Sequence, residues 1–228
     1  MHTQTAMINR SSSHQPALRV VPPVRSHPVG DSIELMGAVM SFGRNAEIYG
    51  ENESAEYLYK VISGTVRTYK VLNDGRRQIG AFYLPGDIFG LEVCDAHTFS
   101  AEAIVDCKVL VMKRSTLIAL AARDNEVARQ LWTMTATELQ RAQGHIMLLI
   151  KTAQERVAGF LLEMARRSSA GNEIELPMSR QDIADYLGLT IETVSRTLTQ
   201  LENSAAIAVP TSRRIVLRNR AALSRLNA

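Results

Sequence analysis

The sequence predicts an α+β chain: an N-terminal antiparallel β-roll, one long dimerisation helix and a C-terminal winged helix-turn-helix. Three observations carry that prediction. Short apolar runs punctuated by glycine occupy residues 31–122, an apolar series with heptad spacing crosses 123–152, and a capped helix–Gly–helix pattern lies within 153–228. With 228 residues and 46% hydrophobic content, the chain is long enough to bury a core in each of two modest domains.

Residues 1–30 are rich in Ser, Pro and His and lack apolar periodicity, so they read as a flexible extension with no functional signal. The roll begins after them. "EYLYKVISGTVRTYKVLNDGRRQIGAFYLPGDIFG" alternates through Leu58, Lys60 and Ile62 and again through Val66, Thr68 and Lys70. Asp74-Gly75 supplies the dipeptide that accepts the positive φ of a tight hairpin turn. Gly64, Gly80, Gly86 and Gly90 separate further runs, and "AEAIVDCKVLVMKR" adds one more strand. Many short strands joined by such turns close into a small antiparallel roll.

The period then becomes helical. "STLIALAARD" reads as a short amphipathic helix, after which Ala128, Trp132, Thr135, Leu139, Ala142, Ile146, Leu149 and Ala153 recur at steps of four and three. That spacing suits a packed helix pair. A helix resting on its own domain would show part of the same pattern, but "HIMLLIK" is apolar on several faces and needs two partners. A second copy of the same helix is the reading favoured, with Trp132, Leu139, Ala142, Ile146 and Leu149 at the homodimer interface.

The C-terminal unit opens with "QERVAGFLLEMARR", apolar at Val157, Phe160, Leu161 and Met164, and breaks at 168–172. Ser179 precedes "RQDIADYL"; its hydroxyl suits a helix N-cap, with Asp182 three residues on. Ile183, Ala184 and Leu187 form an inner face, Gly188 allows a sharp turn, and Thr190 caps the next helix, whose buried side is Val194, Leu198 and Leu201. Two short helices joined in this way make a helix-turn-helix, and "AAIAV", a turn over 210–214 and "RIVL" read as a two-stranded wing.

Glu192, Ser195 and Arg196 fall at steps of three and four on the outward side of that second helix. Taken alone, Glu192 and Arg196 read equally well as a surface ion pair. In the helix–Gly–helix–wing context they become base-reading groups: Arg forks onto guanine O6 and N7, and a carboxylate accepts from cytosine N4. Ser179, Arg180, Thr190, Thr193, Thr197, Thr199, Arg213 and Arg214 are candidates for phosphate contact. Five arginines and no acid follow Asn203, a balance that suits double-stranded DNA, although charge alone would equally fit a solvated face.

Other classes lose ground on composition. The two cysteines, Cys94 and Cys107, give neither a disulfide framework nor a metal set, and the five histidines are scattered without ligand spacing. No nucleophile–base set stands out, so no enzyme, metal or cofactor is expected. No apolar run reaches membrane-spanning length and the start lacks a secretory segment, which makes the cytoplasm the expected location.

"MSRQDIADYLGLTIETVSRTLTQLE" resembles the helix-turn-helix of the CRP/FNR superfamily of bacterial transcription regulators, on its FNR-like side and in particular its FixK branch. The order of parts, a cyclic-nucleotide-binding-like roll, a dimer helix and a winged helix, matches over roughly residues 30–225. The resemblance implies an activator that reads a TTGA-spacer-TCAA palindrome as a homodimer. Glu192 and Arg196 would read the G·C pairs and Ser195 would help select the T. Ile191 stands where cyclic-AMP-dependent members carry a base-reading Arg. The resemblance also implies contact with RNA polymerase through the hairpin tip Asn73, Asp74, Gly75 and Arg76, and control of low-oxygen respiration or nitrogen-fixation genes.

Departures from the family pattern bear on sensing. "GLEVCDAHTFSAEA" has Phe99 before Ser100 where cyclic-nucleotide binders carry the Arg that grips the phosphate, so no cyclic AMP binding is expected. The iron–sulfur members use four cysteines; here Leu110 stands at the internal ligand position and the N-terminal extension has no cysteine. The rival reading, a small-molecule sensor whose winged helix mediates protein association, would show DNA affinity insensitive to salt.

Overall fold

The computed structural model describes residues 37–168 and 171–227. The flexible extension expected over 1–30 and the first residues assigned to the roll lie outside the described residues. Eight strands build the roll: β1 (Ala38–Phe42), β2 (Glu47–Tyr49), β3 (Tyr57–Ser63), β4 (Val66–Val71), β5 (Arg77–Tyr83), β6 (Ile88–Phe89), β7 (Ser100–Ala103) and β8 (Cys107–Lys113). They pair antiparallel in two four-stranded sheets, ordered β1-β8-β3-β6 and β2-β7-β4-β5. Gly75 sits at φ 82° at the tip of the β4–β5 hairpin, as the Asp-Gly pair predicts. At Gly64 the backbone has φ 86° and an added Cβ would fall 2.5 Å from the Asp106 carbonyl oxygen, so only glycine fits that turn.

The alternation in β3 is the reverse of the simplest reading. Tyr59 and Val61 point into the roll with Tyr49, Val66, Phe89 and Val109, while Leu58 packs outward with Leu110, Met112, Leu117 and Val127 under the helices that follow. Ile62 is exposed. The strand is covered on both faces at its start, which obscures a period of two.

Helix α1 (Arg114–Ala121) follows β8, and α2 (Asn125–Leu149) runs 25 residues. Asp124 caps α2, its carboxylate accepting from the amides of Glu126 and Val127 at 2.8 and 3.4 Å. The heptad series extends to Ala153 in sequence, but the helix ends earlier. Thr152 opens α3 (Ala153–Arg167) with a capping box, its amide donating to Glu155 at 2.7 Å, and this starts a new helix without Gly or Pro.

The C-terminal unit contains β9 (Glu173–Glu175), α4 (Arg180–Leu187), α5 (Ile191–Asn203), β10 (Ile207–Thr211), β11 (Arg214–Leu217) and α6 (Arg220–Leu226). The wing has three strands in the order β10-β11-β9 rather than the two expected. Pro210 belongs to β10 at a register shift rather than to the turn, as fits a residue that cannot donate to a ladder. Helix α6, which the sequence reading did not assign, packs on α3, where Asn227 Oδ1 lies against Gly159. One apolar cluster unites α3, α4, α5 and the wing with Ile79, Phe82 and Ile104 of the roll, so the two halves share a core.

Candidate nucleic-acid interface

Local chemistry builds the outward face of the C-terminal unit. Ser179 caps α4: its hydroxyl accepts from the Asp182 amide at 3.1 Å, while its own amide and hydroxyl donate to Asp182 Oδ2 at 2.9 and 2.8 Å. Helix α4 stops because Gly188 takes φ 61°, ψ 42°, and the amides of Gly188 and Leu189 then return to the Ala184 carbonyl. Thr190 starts α5 by accepting from the Thr193 amide at 3.2 Å. Val194, Leu198 and Leu201 are buried as their spacing predicts, which turns Glu192, Ser195 and Arg196 to solvent in the first two turns.

The electrostatics of that trio suit hydrogen-bond reading. The helix-end amide of Glu192 and the Thr190 hydroxyl hold the Glu192 carboxyl below the ordinary range, with Arg196 adding to the effect, so Glu192 is an acceptor at neutral pH. Arg196 has no carboxylate within ion-pairing distance among the described residues. Glu192 does not tie it down.

The candidate phosphate groups divide by environment. Thr190 is exposed and Thr193 half-buried, their hydroxyls 3.1 Å apart at the helix start. Ser179 is exposed but its hydroxyl proton is engaged by Asp182. Arg180 is half-buried; burial lowers its pKa, and Nη1 has no partner among the described residues. Thr197 is buried at 4% exposure and faces the core, so it cannot reach phosphate; the helical step that buries Leu201 buries it too. Thr199 spends its hydroxyl on the Ser195 carbonyl at 3.1 Å. Arg213 stands exposed at the wing turn, and Arg214 beside it is ion-paired to Glu173 of β9, a strand the sequence reading did not include. Val209 of the wing donates to Glu202 at 3.0 Å, which joins the wing to the end of α5.

This assembly of capped helix, glycine turn, reading helix and wing has clear relatives. Residues 155–226 match the model of the Crp-like helix-turn-helix domain, and residues 39–124 match that of the cyclic nucleotide-binding domain. Over 201 residues the chain is 54% identical to the nitrogen fixation regulation protein FixK of Azorhizobium caulinodans, covering 86% of this chain and 81% of that protein. The chain belongs to the CRP/FNR family of transcription regulators. Within this family it is 41% identical to the FixK protein of Rhizobium meliloti over 78% of the chain and 81% of that relative. The structure of FixK2 from Bradyrhizobium japonicum superposes with a TM-score of 0.81 and 55% identity, covering 85% of this chain and 98% of that one. As a CRP/FNR regulator the chain binds DNA through its helix-turn-helix.

The other sequence-predicted residues lie on α2 and at the β4–β5 tip. On α2, Trp132, Leu139, Ala142 and Ile146 are all exposed in the single chain, Trp132 at 75%, and Leu149 is half-buried. At the β4–β5 tip, Asp74 and Arg76 form an exposed ion pair at 2.7 Å, flanked by exposed Val71 and Leu72.

The sequence reading missed the groups that hold the C-terminal unit against the roll. Arg67 and Arg77, on β4 and β5, reach Asp182 and Asp185 on α4. His145 of α2 stacks on Tyr186 with ring centroids 3.9 Å apart and donates to the Tyr186 carbonyl at 2.7 Å. Arg167 donates to the Phe82 carbonyl at 2.9 Å and pairs with Asp87, which also takes Arg141. Only Asp182 gave any sequence signal, and that signal was for a cap.

Proposed function

We propose that this regulator acts as a homodimeric activator on a TTGA-spacer-TCAA palindrome, with Glu192, Ser195 and Arg196 of each subunit reading one half. The single observation that carries this reading is the free Arg196 guanidinium beside an ionised Glu192 on the exposed start of α5. A forked donor and an acceptor one turn apart match guanine and the amino group of cytosine in the major groove. Thr190, Thr193, Arg180 and Arg213 would steady the helix on phosphates, Ser179 would serve through the helix start it caps, and Arg214 would exchange Glu173 for phosphate.

The exposed apolar stripe on α2 supports pairing with a second copy, which would set half-site centres roughly 34–36 Å apart. The hairpin tip Asn73, Asp74, Gly75 and Arg76 is the proposed contact for RNA polymerase. Control without cyclic AMP is supported by the interior of the roll, where Tyr49 stacks on His97, Tyr59 stacks on Phe89, the two tyrosines meet at a tilt, and Phe99 packs against Gly80. Aromatic carbon thus lines the wall where an anionic ligand would need a cation. No catalytic step is assigned to the chain, and a DNA partner makes the cytoplasm its expected location. The FixK relatives suggest nitrogen-fixation and low-oxygen genes as targets.

Titration of the protein against operators that differ by one base pair tests the reading. Affinity should fall most for changes at the G·C pair and steeply with salt. Equal affinity for all variants would refute it. Mapping of bound sites across the native genome tests the gene assignment.

A further inference from the structure

One buried carboxylate connects the start of the helix-turn-helix to the roll. Asp182 uses Oδ2 to cap α4 through Ser179. Its Oδ1 accepts from Arg67 Nη1 at 2.8 Å and from Arg77 Nη2 at 2.6 Å. Arg77 Nε donates to Asp185 Oδ2 one turn later at 2.7 Å, and Arg67 Nη2 donates to Glu102 Oε1 of β7 at 2.9 Å. Gln78 adds a bond of 3.3 Å to the Tyr186 carbonyl at the end of the same helix. Every bond from the hairpin to α4 crosses more than 100 residues of sequence. The Asp182 and Asp185 side chains are only 5% and 12% exposed, so solvent screens these ion pairs weakly.

We propose that Arg67 and Arg77 are positioning residues that fix the pitch of the reading helix relative to the roll, and so set the half-site spacing that the dimer accepts. This rests on the DNA reading given above. Domains of one chain move relative to one another unless their interface is large or specifically tied. In a dimer joined through α2, any rocking of α4 against the roll swings α5 and changes the distance between the two reading heads. On top of the apolar core the two halves share, the latch fixes the angle of α4 before DNA arrives, so that part of the ordering cost is not taken from the binding energy. It holds an open reading state rather than a masked one, because Glu192, Ser195 and Arg196 remain exposed while the latch is closed.

The Arg77–Asp185 pair is tested without reversing charge, since Arg77 also donates to Asp182 and a carboxylate at position 77 would face that buried acid. Full-length Arg77→Gln, Asp185→Asn and the double variant are titrated on three duplexes: the palindrome, the palindrome with one base pair added to the spacer, and a single half-site. Each single variant should bind the palindrome about tenfold more weakly, discriminate less against the longer spacer, and bind the half-site as the wild type does. The double variant should lose little more than Arg77→Gln alone, because both changes remove the same bond. Unchanged spacing preference in the single variants, tighter binding on release, or fully additive losses in the double variant would each overturn the proposal. Wild-type protein that ignores the palindrome altogether would instead overturn the DNA-site reading.

Discussion

Arg196 lies one turn of α5 beyond Glu192, and among the described residues its guanidinium meets no carboxylate at ion-pairing distance. A long cationic side chain on a helix surface often leans back on an acid at this spacing. Here the Glu192 carboxyl is held below the ordinary range first by its own amide and the Thr190 hydroxyl, with Arg196 contributing less. Arg196→Ala should therefore cost about 1–3 kcal/mol of discrimination at the guanine while changing stability little. Titration on single-base operator variants measures this. A uniform loss on every variant would make Arg196 a phosphate anchor.

The wing should contribute charge rather than sequence reading. Arg213 is exposed with no salt-bridge partner among the described residues, whereas Arg214 faces Glu173. Arg213→Ala should weaken binding by a similar factor on all sequences and reduce the salt slope by about 1. A plot of affinity against salt for both proteins gives the answer, and an unchanged slope would remove Arg213 from the interface.

The apolar stripe on α2 predicts its own disruption. Leu139→Glu places a charge in the middle of the proposed seam, where burial without a partner is costly. Sedimentation velocity should show the variant as a monomer at concentrations where the wild type is a dimer, with affinity for the palindrome lost and the fold retained. A dimeric variant would place the seam elsewhere.

Gly188 should resist substitution for a backbone reason. A Cβ there would meet Arg156 Nη1 and Leu149 Cδ2 only at ordinary contact distances of 3.5 and 3.6 Å, so space is not the constraint. The left-handed φ is. Gly188→Ala should destabilise the protein by about 1–2 kcal/mol, read as a lower midpoint in denaturant.

Stability should fall on mild acidification. Burial lowers the pKa of His145 from the ordinary 6.5, against the opposing pull of the Tyr186 and Gly80 carbonyls. The unfolded ring then binds a proton more readily than the folded one, so the stabilisation is complete above about pH 6.5 and is lost as pH falls through the lowered value. His97 is shifted in the same direction, by burial acting against Glu92. Denaturation followed between pH 7.5 and 5.5 should show this loss, and His145→Gln should flatten it in part. A wild-type curve flat over that range would contradict the assignment.

Much of the chain was legible in its residue order. The Ser179–Asp182 capping box, the Gly188 turn, the Asp-Gly hairpin and the aliphatic seam of α5 depend on groups within four residues of one another, so spacing alone predicts them. The same local logic turned Glu192, Ser195 and Arg196 outward. It failed where a strand is covered on both faces, as at Leu58 and Tyr59, and at Thr197, where the width of the buried face rather than its period decides exposure.

The sequence by itself therefore determined the order of roll, long helix and helix-turn-helix, the outward placement of Glu192, Ser195 and Arg196, and the family. Only the tertiary structure decided that Asp182 serves two masters, a cap three residues away and arginines 105 and 115 residues away, and that the third wing strand brings Glu173 against Arg214. The reason is range: caps and periodicity are set by bonds that close within a turn, whereas a charge pair between domains exists only after two separately folded surfaces have met.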